Sequence, residues 1–350
     1  MRGFIGSNNK IFLEEYPNIV TPKLKAILSL KEILNDKDIT FVQGNGSYIN
    51  IVDKNGNVYK NVSGNNDTSL SDIKKIISSS SASYAIDKEG HLFAKGNLYT
   101  GLWGDESEKT SYQEITKDGT NLFDNIKNIY TSKAGFSAIF ITDDNKIYWA
   151  GNSSYISLPN ADGDISLTGG GKVTRYAKEV ESNKLNEIKD KISDIKYSFI
   201  NSGGINGRNT LILTTEGKLY TYSSNQNMTG TGEKIATDFV ELKINGNAPV
   251  KQIETMDGLS LALLENGDVY GWGYNTYGIL GEGYEIGGIY STPVKLKLNN
   301  ISYISLGEGF AIFANKSGEV YGIGKNDYGQ LGTGDTKGAD NFVRCKNLEE

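Results

Sequence analysis

Six segments of this chain can be laid over one another, and that self-similarity constrains the fold more than any other feature. Residues 39–59 (ITFVQGNGSYINIVDKNGNVY) and 301–321 (ISYISLGEGFAIFANKSGEVY) align without a gap, and residues 250–270 and 73–93 fit the same frame. Longer versions run from Ile126 to Tyr148 and from Ile195 to Tyr220. Six units therefore begin at residues 39, 73, 126, 195, 250 and 301. Each has a short apolar strand, a Gly/Ser-rich bend and a second strand that alternates apolar and polar residues, as in Tyr48-Ile49-Asn50-Ile51-Val52. A two-residue turn signal follows, such as Asn55-Gly56, Glu89-Gly90, Asn266-Gly267 or Ser317-Gly318. Glycine supplies the positive φ that tight hairpins need. A third strand (Val269-Tyr270, Val320-Tyr321) and a fourth apolar segment (Val294-Lys295-Leu296) complete the unit. Four short strands in roughly fifty residues make a β-propeller blade, whereas β-helix repeats are too short for this pattern. The expectation is an all-β propeller, one domain over residues 1–350.

The second halves of the last two units carry a more specific pattern. Gly271-Trp272-Gly273-Tyr274-Asn275-Thr276-Tyr277-Gly278-Ile279-Leu280-Gly281-Glu282-Gly283 is repeated as Gly322-Ile323-Gly324-Lys325-Asn326-Asp327-Tyr328-Gly329-Gln330-Leu331-Gly332-Thr333-Gly334. This resembles the regulator-of-chromosome-condensation repeat, with its G-x-N-x-x-G-Q-L-G-x-G signature. Its glycines permit tight turns and close approach of neighbouring chains, and the amide of Asn275 or Asn326 is placed to satisfy loop backbone groups. Elsewhere the pattern fades to Gly96-Asn97, Gly101-Leu102-Trp103-Gly104, Gly151-Asn152 and Thr229-Gly230-Thr231-Gly232. The histidine of the family repeat is replaced by Tyr48, Ala82, Leu259 and Phe310 in the ungapped units.

The resemblance implies seven blade positions, with the last incomplete or closed by the termini. Residues 1–38 read as half a blade, because Arg2-Gly3-Phe4-Ile5-Gly6-Ser7-Asn8 echoes Tyr321–Asn326 and Pro22-Lys23-Leu24 echoes Pro293-Val294-Lys295. Residues 22–38 have helical spacing of Leu24, Ile27, Leu28 and Leu34. The first unit spans only 34 residues and is expected to lack its outer strand.

Composition removes several function classes. With 36 Lys+Arg against 42 Asp+Glu and no basic block, the chain is not built to track nucleic-acid phosphates. Cys345 is the single cysteine, which excludes an intramolecular disulfide and a cysteine-based metal cage. No run of eighteen apolar residues is present, and Met1–Lys10 lacks the apolar core of a secretory signal. The one histidine, His91, lies beside a turn and reads as an ordinary turn residue. Thr168-Gly169-Gly170-Gly171-Lys172-Val173 lacks the earlier Gly of a phosphate loop, and Val173 stands where Ser/Thr would hold magnesium. Asn160-Ala161-Asp162-Gly163-Asp164 lacks the distal Glu of a calcium loop and reads as a polar loop. No pair of carboxylates is singled out by spacing. A catalytic site, a metal and a cofactor are not expected.

What remains is the composition of the loops. Of 21 Tyr, many sit among Gly, Asn and Ser, a mixture that gives large amphipathic contact area with adaptable hydrogen bonding. The partner-binding candidates are Tyr274, Tyr277, Tyr284 and Tyr290 of the fifth unit, with Tyr155, Arg175 and Tyr176 from the excess stretch 155–186 of the third. The expected function is noncatalytic recognition of a protein partner, with a cell-surface glycan as a further ligand class and no membrane insertion. The resemblance implies propellers that bind proteins, as the propeller-type β-lactamase inhibitors do, and divergence of the repeats favours a bacterial surface, secreted or phage-tail setting over a nuclear one. Two alternatives stand beside it: guanine nucleotide exchange on a small GTPase, and a carbohydrate-binding or carbohydrate-active propeller.

Overall fold

The computed structural model describes residues 3–5, 11–13, 39–45, 48–60, 69–79, 82–96, 108–131, 135–167, 171–202, 204–235 and 237–345. Strands β1 (Gly3–Ile5) and β2 (Ile11–Leu13) form a two-stranded pair. The first sheet holds β3 (Ile39–Asn45), β4 (Tyr48–Asp53) and β5 (Val58–Lys60), and the second β6 (Ile73–Ser78), β7 (Ala82–Asp87), β8 (Leu92–Gly96) and β9 (Lys109–Glu114). The third contains β10 (Ile126–Thr131), β11 (Ser137–Thr142) and β12 (Ile147–Gly151), a side hairpin of β13 (Ile165–Ser166) and β14 (Lys172–Val173), and the outer strand β15 (Lys178–Glu179). Helix α1 (Asn183–Ile188) leads to the fourth sheet, β16 (Ile192–Ser202), β17 (Ile205–Thr214), β18 (Leu219–Tyr222) and β19 (Val240–Leu242). The fifth is β20 (Val250–Met256), β21 (Leu259–Leu264), β22 (Val269–Tyr274) and β23 (Ile289–Lys295), and the sixth β24 (Ile301–Leu306), β25 (Phe310–Asn315), β26 (Val320–Gly324) and β27 (Ala339–Arg344). The sheets from the second to the sixth have four antiparallel strands in sequence order; the first has three among the described residues. The expected helix at 22–38 and most of the half blade lie outside the described residues.

The recurring sequence frame produces recurring geometry. In all six sheets the first strand slips register directly after its first residue, at Ile39, Ile73, Ile126, Ile192, Val250 and Ile301. Such a bulge bends the strand and increases its twist. At the second-to-third-strand turns, a side-chain oxygen tethers the hairpin. Asp53 Oδ1 accepts from the amides of Asn55 and Asn57 (2.9 and 3.0 Å), and Asp87 Oδ1 from those of Glu89 and His91 (3.0 and 2.8 Å). Asn315 Oδ1 takes the amides of Ser317 and Glu319, both at 2.9 Å.

The second strand departs from the expected alternation. Ser137–Thr142 (SAIFIT) and Leu259–Leu264 (LSLALL) are buried at every position. A central strand covered on both faces selects a continuous apolar run, while the outer β9 (KTSYQE) has no buried residue. Within each compact unit core therefore lies between successive sheets: Val52, Ile73 and Ile76 join the first to the second, and Leu261, Leu280, Ile304 and Phe313 join the fifth to the sixth.

Contacts divide the chain into two compact units, residues 1–154 with 162–179, and residues 155–161 with 180–350. No helix among the described residues is long and apolar enough to cross a membrane.

Candidate functional site

The fifth and sixth sheets carry equivalent loops. After β22 ends at Tyr274, Asn275 is wholly buried and organises residues 275–288. Its Nδ2 donates to Glu285 O (2.9 Å) and its Oδ1 accepts from Leu280 N (3.0 Å). Its own amide donates to Gly288 O (2.9 Å), and its carbonyl accepts from Gly278 N and Gly287 N (3.1 and 2.8 Å). After β26, the equally buried Asn326 does the same work. Its Nδ2 donates to the carbonyls of Asp335 and Lys337, each at 3.0 Å, and its Oδ1 accepts from Leu331 N at 2.8 Å. A carboxamide is suited to this because one short side chain holds both donors and acceptors. The glycine two residues before each Asn is equally constrained. Gly273 and Gly324 have φ of +108° and +98°, and a Cβ there would lie 2.1 Å from Gly258 O or 2.3 Å from Gly309 O.

The residue just before each Asn reaches back to the preceding loop. Tyr274 is 7% exposed, and its hydroxyl accepts from Asn225 Nδ2 and Asn227 Nδ2 at 3.1 and 3.2 Å, in the loop after β18. Its ring shares a small apolar cluster with Ile200, Met228 and Ile205, where the extended β16–β17 hairpin leans on it. Lys325, in the same repeat position, places its ammonium 4.2 Å from the centre of the Tyr277 ring in the loop after β22. Such a cation–π contact contributes on the order of 0.5–1 kcal/mol at a partly exposed site.

Each sequence candidate has a definite place in this framework. Tyr274 is a correction: it is a packing residue, because a buried ring with its hydroxyl engaged has no face to offer a partner. Tyr277 is half-buried under Lys325. Tyr284 and Tyr290 are also half-buried, meet edge-to-face at 5.3 Å, and use their hydroxyls on the backbone. The Tyr284 hydroxyl donates to Lys295 O (2.6 Å), and that of Tyr290 accepts from Glu285 N (2.8 Å). They brace the loop. Tyr155 packs edge-to-face on Phe199 of β16 with centroids 4.7 Å apart. Tyr155 and the four fifth-unit tyrosines thus belong to the second compact unit, whereas Arg175 and Tyr176 belong to the first. Arg175 is exposed, its amide donating to Asp164 Oδ2 at 2.9 Å, and the Tyr176 hydroxyl lies so close to Gly119 that a Cβ there would be 2.6 Å from it.

The exposed aliphatic residues of these loops were not among the sequence candidates. Ile286 and Ile289 flank the Gly287-Gly288 turn and are 52% and 53% exposed, and Tyr328 is 48% exposed in the loop after β26. The signal was present as Glu-Ile-Gly-Gly-Ile, aliphatic residues set among turn glycines where no strand alternation places them in a core.

The remaining polar features have structural explanations. In the segment 160–164, Asp162 pairs with Lys172 at 2.8 Å and Asp164 with Lys178 at 2.6 Å, so the carboxylates compensate lysines. Of the phosphate-loop-like run, 168–170 lie outside the described residues, and Val173 is buried in β14. Lys196 of β16 lies 3.3 Å from Glu254 and 3.8 Å from Asp194. Burial acts to lower its pKa, but the two carboxylates outweigh this and hold the ammonium above its ordinary range. A shallow groove of about 450 Å³ between β19 and β23 is lined by Thr231, Glu241, Leu242, Lys243, Thr292 and Pro293 among others.

Similarity to known proteins agrees with this geometry. The family model "Regulator of chromosome condensation (RCC1) repeat" matches residues 266–314 and 317–345, and a second model of that repeat matches 301–330. The chain is 33% identical over 146 residues to Protein RCC2 homolog of Danio rerio, which covers 40% of this chain and 29% of that protein. It is 34% identical over 146 residues to the mouse E3 ubiquitin-protein ligase HERC2, covering 39% and 3%. Likeness to the Arabidopsis thaliana Ultraviolet-B receptor UVR8 is 32% over 129 residues, covering 36% and 29%. The chain thus spans less than a third of the length of each of these relatives. Among solved structures, human WBSCR16 matches with a TM-score of 0.65 at 15% identity, over 89% of this chain and 82% of that one. A chain in the crystal structure of Kap60 bound to yeast RCC1 matches with a TM-score of 0.66 at 14% identity, over 89% and 75%. The fold is that of the β-propellers. Within it, residues 266–314 and 317–345 match the RCC1 repeat.

Proposed function

We propose that residues 1–350 act as one noncatalytic protein-recognition domain, which binds its partner through the loops after β22 and β26. The observation that carries this is the combination of rigidity and exposure. Buried Asn275 and Asn326 pin the two loops, and those loops display Ile286, Ile289 and Tyr328 to solvent. A surface already ordered before binding loses little conformational freedom on association. Tyr277, Tyr284 and Tyr290 hold the shape, and Tyr155 braces the neighbouring hairpin. Arg175 and Tyr176 are candidates for a contact region of the other unit. RCC1-type relatives such as the HERC2 ligase pair repeats of this kind with a much longer chain, which fits a recognition module. The relatives named above come from animals and a plant and lend nothing to a bacterial surface or phage-tail setting, nor to a glycan ligand.

The test compares Ile286→Asp and Tyr328→Asp with the control Ser317→Asp, in capture of proteins from a lysate by the immobilised chain. The two loop variants should lose bands that the control keeps, with melting temperatures unchanged. Equal retention by all three would exclude these loops. Acceleration of GDP release from a small GTPase by orders of magnitude would replace recognition with nucleotide exchange.

A further inference from the structure

We propose that the turn Glu285–Gly288, with Ile286 and Ile289, is a fixed apolar knob that docks on the apolar stripe of a basic amphipathic helix in the partner. This rests on the recognition reading and names the partner's chemistry. Three observations carry it.

The first is the exposure of two aliphatic side chains three positions apart, each more than half open to solvent, where most large aliphatics among the described residues are covered. Burying such side chains is favourable by about 25 cal/mol per Å² of apolar surface. The second is how firmly the turn is held. Asn275 bonds to it through its amide, its carbonyl and its carboxamide, reaching Gly288 O, Gly287 N and Glu285 O. The Tyr290 hydroxyl accepts from Glu285 N, and the Tyr284 ring supports Tyr290. A knob fixed at this many points presents the two isoleucines in one geometry, which is what a shape-matched stripe requires.

The third observation is charge. Residues 275–294 contain Glu282 and Glu285 and neither Lys nor Arg. Glu282 lies 3.1 Å from Lys297, whereas the Glu285 carboxylate has no ion pair among the described residues. Lys297 offsets Glu282 and Lys325 covers Tyr277, so the open Glu285 carboxylate next to Ile286 sets the local charge, which complements a partner whose apolar stripe is flanked by Lys or Arg.

The occupant is a helix rather than an added strand. β23 is the outer strand of its sheet, so its free edge is the place where an extended peptide would pair. That edge is interrupted: the register shifts between the partners of Gly271 and Gly273, and Pro293 removes an amide within the shifted stretch. A bulge with a proline blunts an edge against strand addition. A helix needs no backbone pairing, and its side chains at i, i+3, i+4 and i+7 form the stripe between which two knobs can sit.

The experiment uses the full chain and a fluorescein-labelled fourteen-residue Leu/Lys amphipathic helical peptide, read by anisotropy. A Leu/Glu peptide of the same pattern and a Leu/Lys peptide of scrambled pattern are run beside it. The patterned Leu/Lys peptide should bind saturably, with affinity falling about tenfold or more in the Ile286→Ser/Ile289→Ser double variant. Glu285→Gln should weaken binding less and flatten its salt dependence. Circular dichroism of both variants should match the parent, and single Ile286→Ser keeps the test open if the double variant fails to fold. Equal affinity of parent and double variant, or equal binding of the scrambled peptide, overturns the knob. Isoleucine-dependent binding of the Leu/Glu peptide overturns the basic partner while leaving the recognition reading intact. If no peptide binds but the Ile286→Asp variant still loses its captured protein, the helix is overturned and recognition stands. Loss of neither removes both.

Discussion

The loops after β22 and β26 start from the same sequence frame and end in different states. Both are organised by a buried Asn that accepts the amide of a buried Leu, Leu280 or Leu331. Tyr277 and Tyr328 occupy the same place in the two loops, yet Tyr277 is half-buried under Lys325 and Tyr328 is 48% exposed. The repeat decides how each loop is built, and the neighbouring element decides how much of it is covered. An aromatic residue in such a frame therefore has no fixed role: Tyr274, one position before Asn275, is spent on the preceding loop as Lys325 is on the next.

The sharpest break of this equivalence is at the glycines. Gly273→Ala and Gly324→Ala should each destabilise the chain by about 4 kcal/mol, because a Cβ at positive φ would meet a carbonyl oxygen. Urea unfolding reads this, and a loss below about 1 kcal/mol at either site would show that the two loops are not held alike.

Next come the tyrosines, where the loops should separate. Tyr274→Ala is expected to lose about 3 kcal/mol, as truncation of a buried aromatic does, against about 0.5 kcal/mol for Tyr328→Ala. Comparable losses at both positions would mean that Tyr328 is as well packed as Tyr274. Asn275→Ala and Asn326→Ala should then agree with each other at about 2 kcal/mol, since each leaves a buried leucine amide and loop carbonyls without a partner. Disagreement by more than about 1 kcal/mol would break the shared scaffold itself.

The smallest effect lies at the opposite type of turn, in the second sheet. His91 Nδ1 is 2.7 Å from Asp87 Oδ2. That hydrogen bond raises the His91 pKa above its ordinary 6.5, against a lesser opposing effect of burial, and nearby carboxylates add to the rise. The stabilisation from charged His91 is therefore full below pH 6.5 and is lost as pH rises through the raised folded value. As the chain has one His, its proton NMR titration is unambiguous, and Asp87→Asn should move the midpoint down. A midpoint that does not move would assign the shift to another cause.

Much of the architecture is legible in the residues alone, because the strand frame repeats six times, with Gly at five of the six hairpin turns and Asn145 at the other, and repetition averages out local ambiguity. Even the Asn275 and Asn326 roles follow from residue chemistry. The fourth sheet begins at Ile192 rather than Ile195, since a longer hairpin displaces the frame. The candidate surface is less legible for a physical reason. Tyr277 and Tyr328 hold the same place in the repeat, and only the packing of the adjacent loop separates a half-buried ring from an open one. Ile286 and Ile289 carry no periodic signal, because isolated aliphatics in a glycine-rich loop lack any period to set them against.

The proposed partner surface lies at the loop end of β22 and β26. Photo-crosslinking tests it most directly, with p-benzoylphenylalanine placed at Ile286 or Tyr328 and, as controls, at Asn266 or Ser317 in the turns at the other ends of the same strands. Discrete protein adducts from the first two positions and none from the controls are the predicted result. Adducts from Asn266 and Ser317 in equal or greater yield would contradict it.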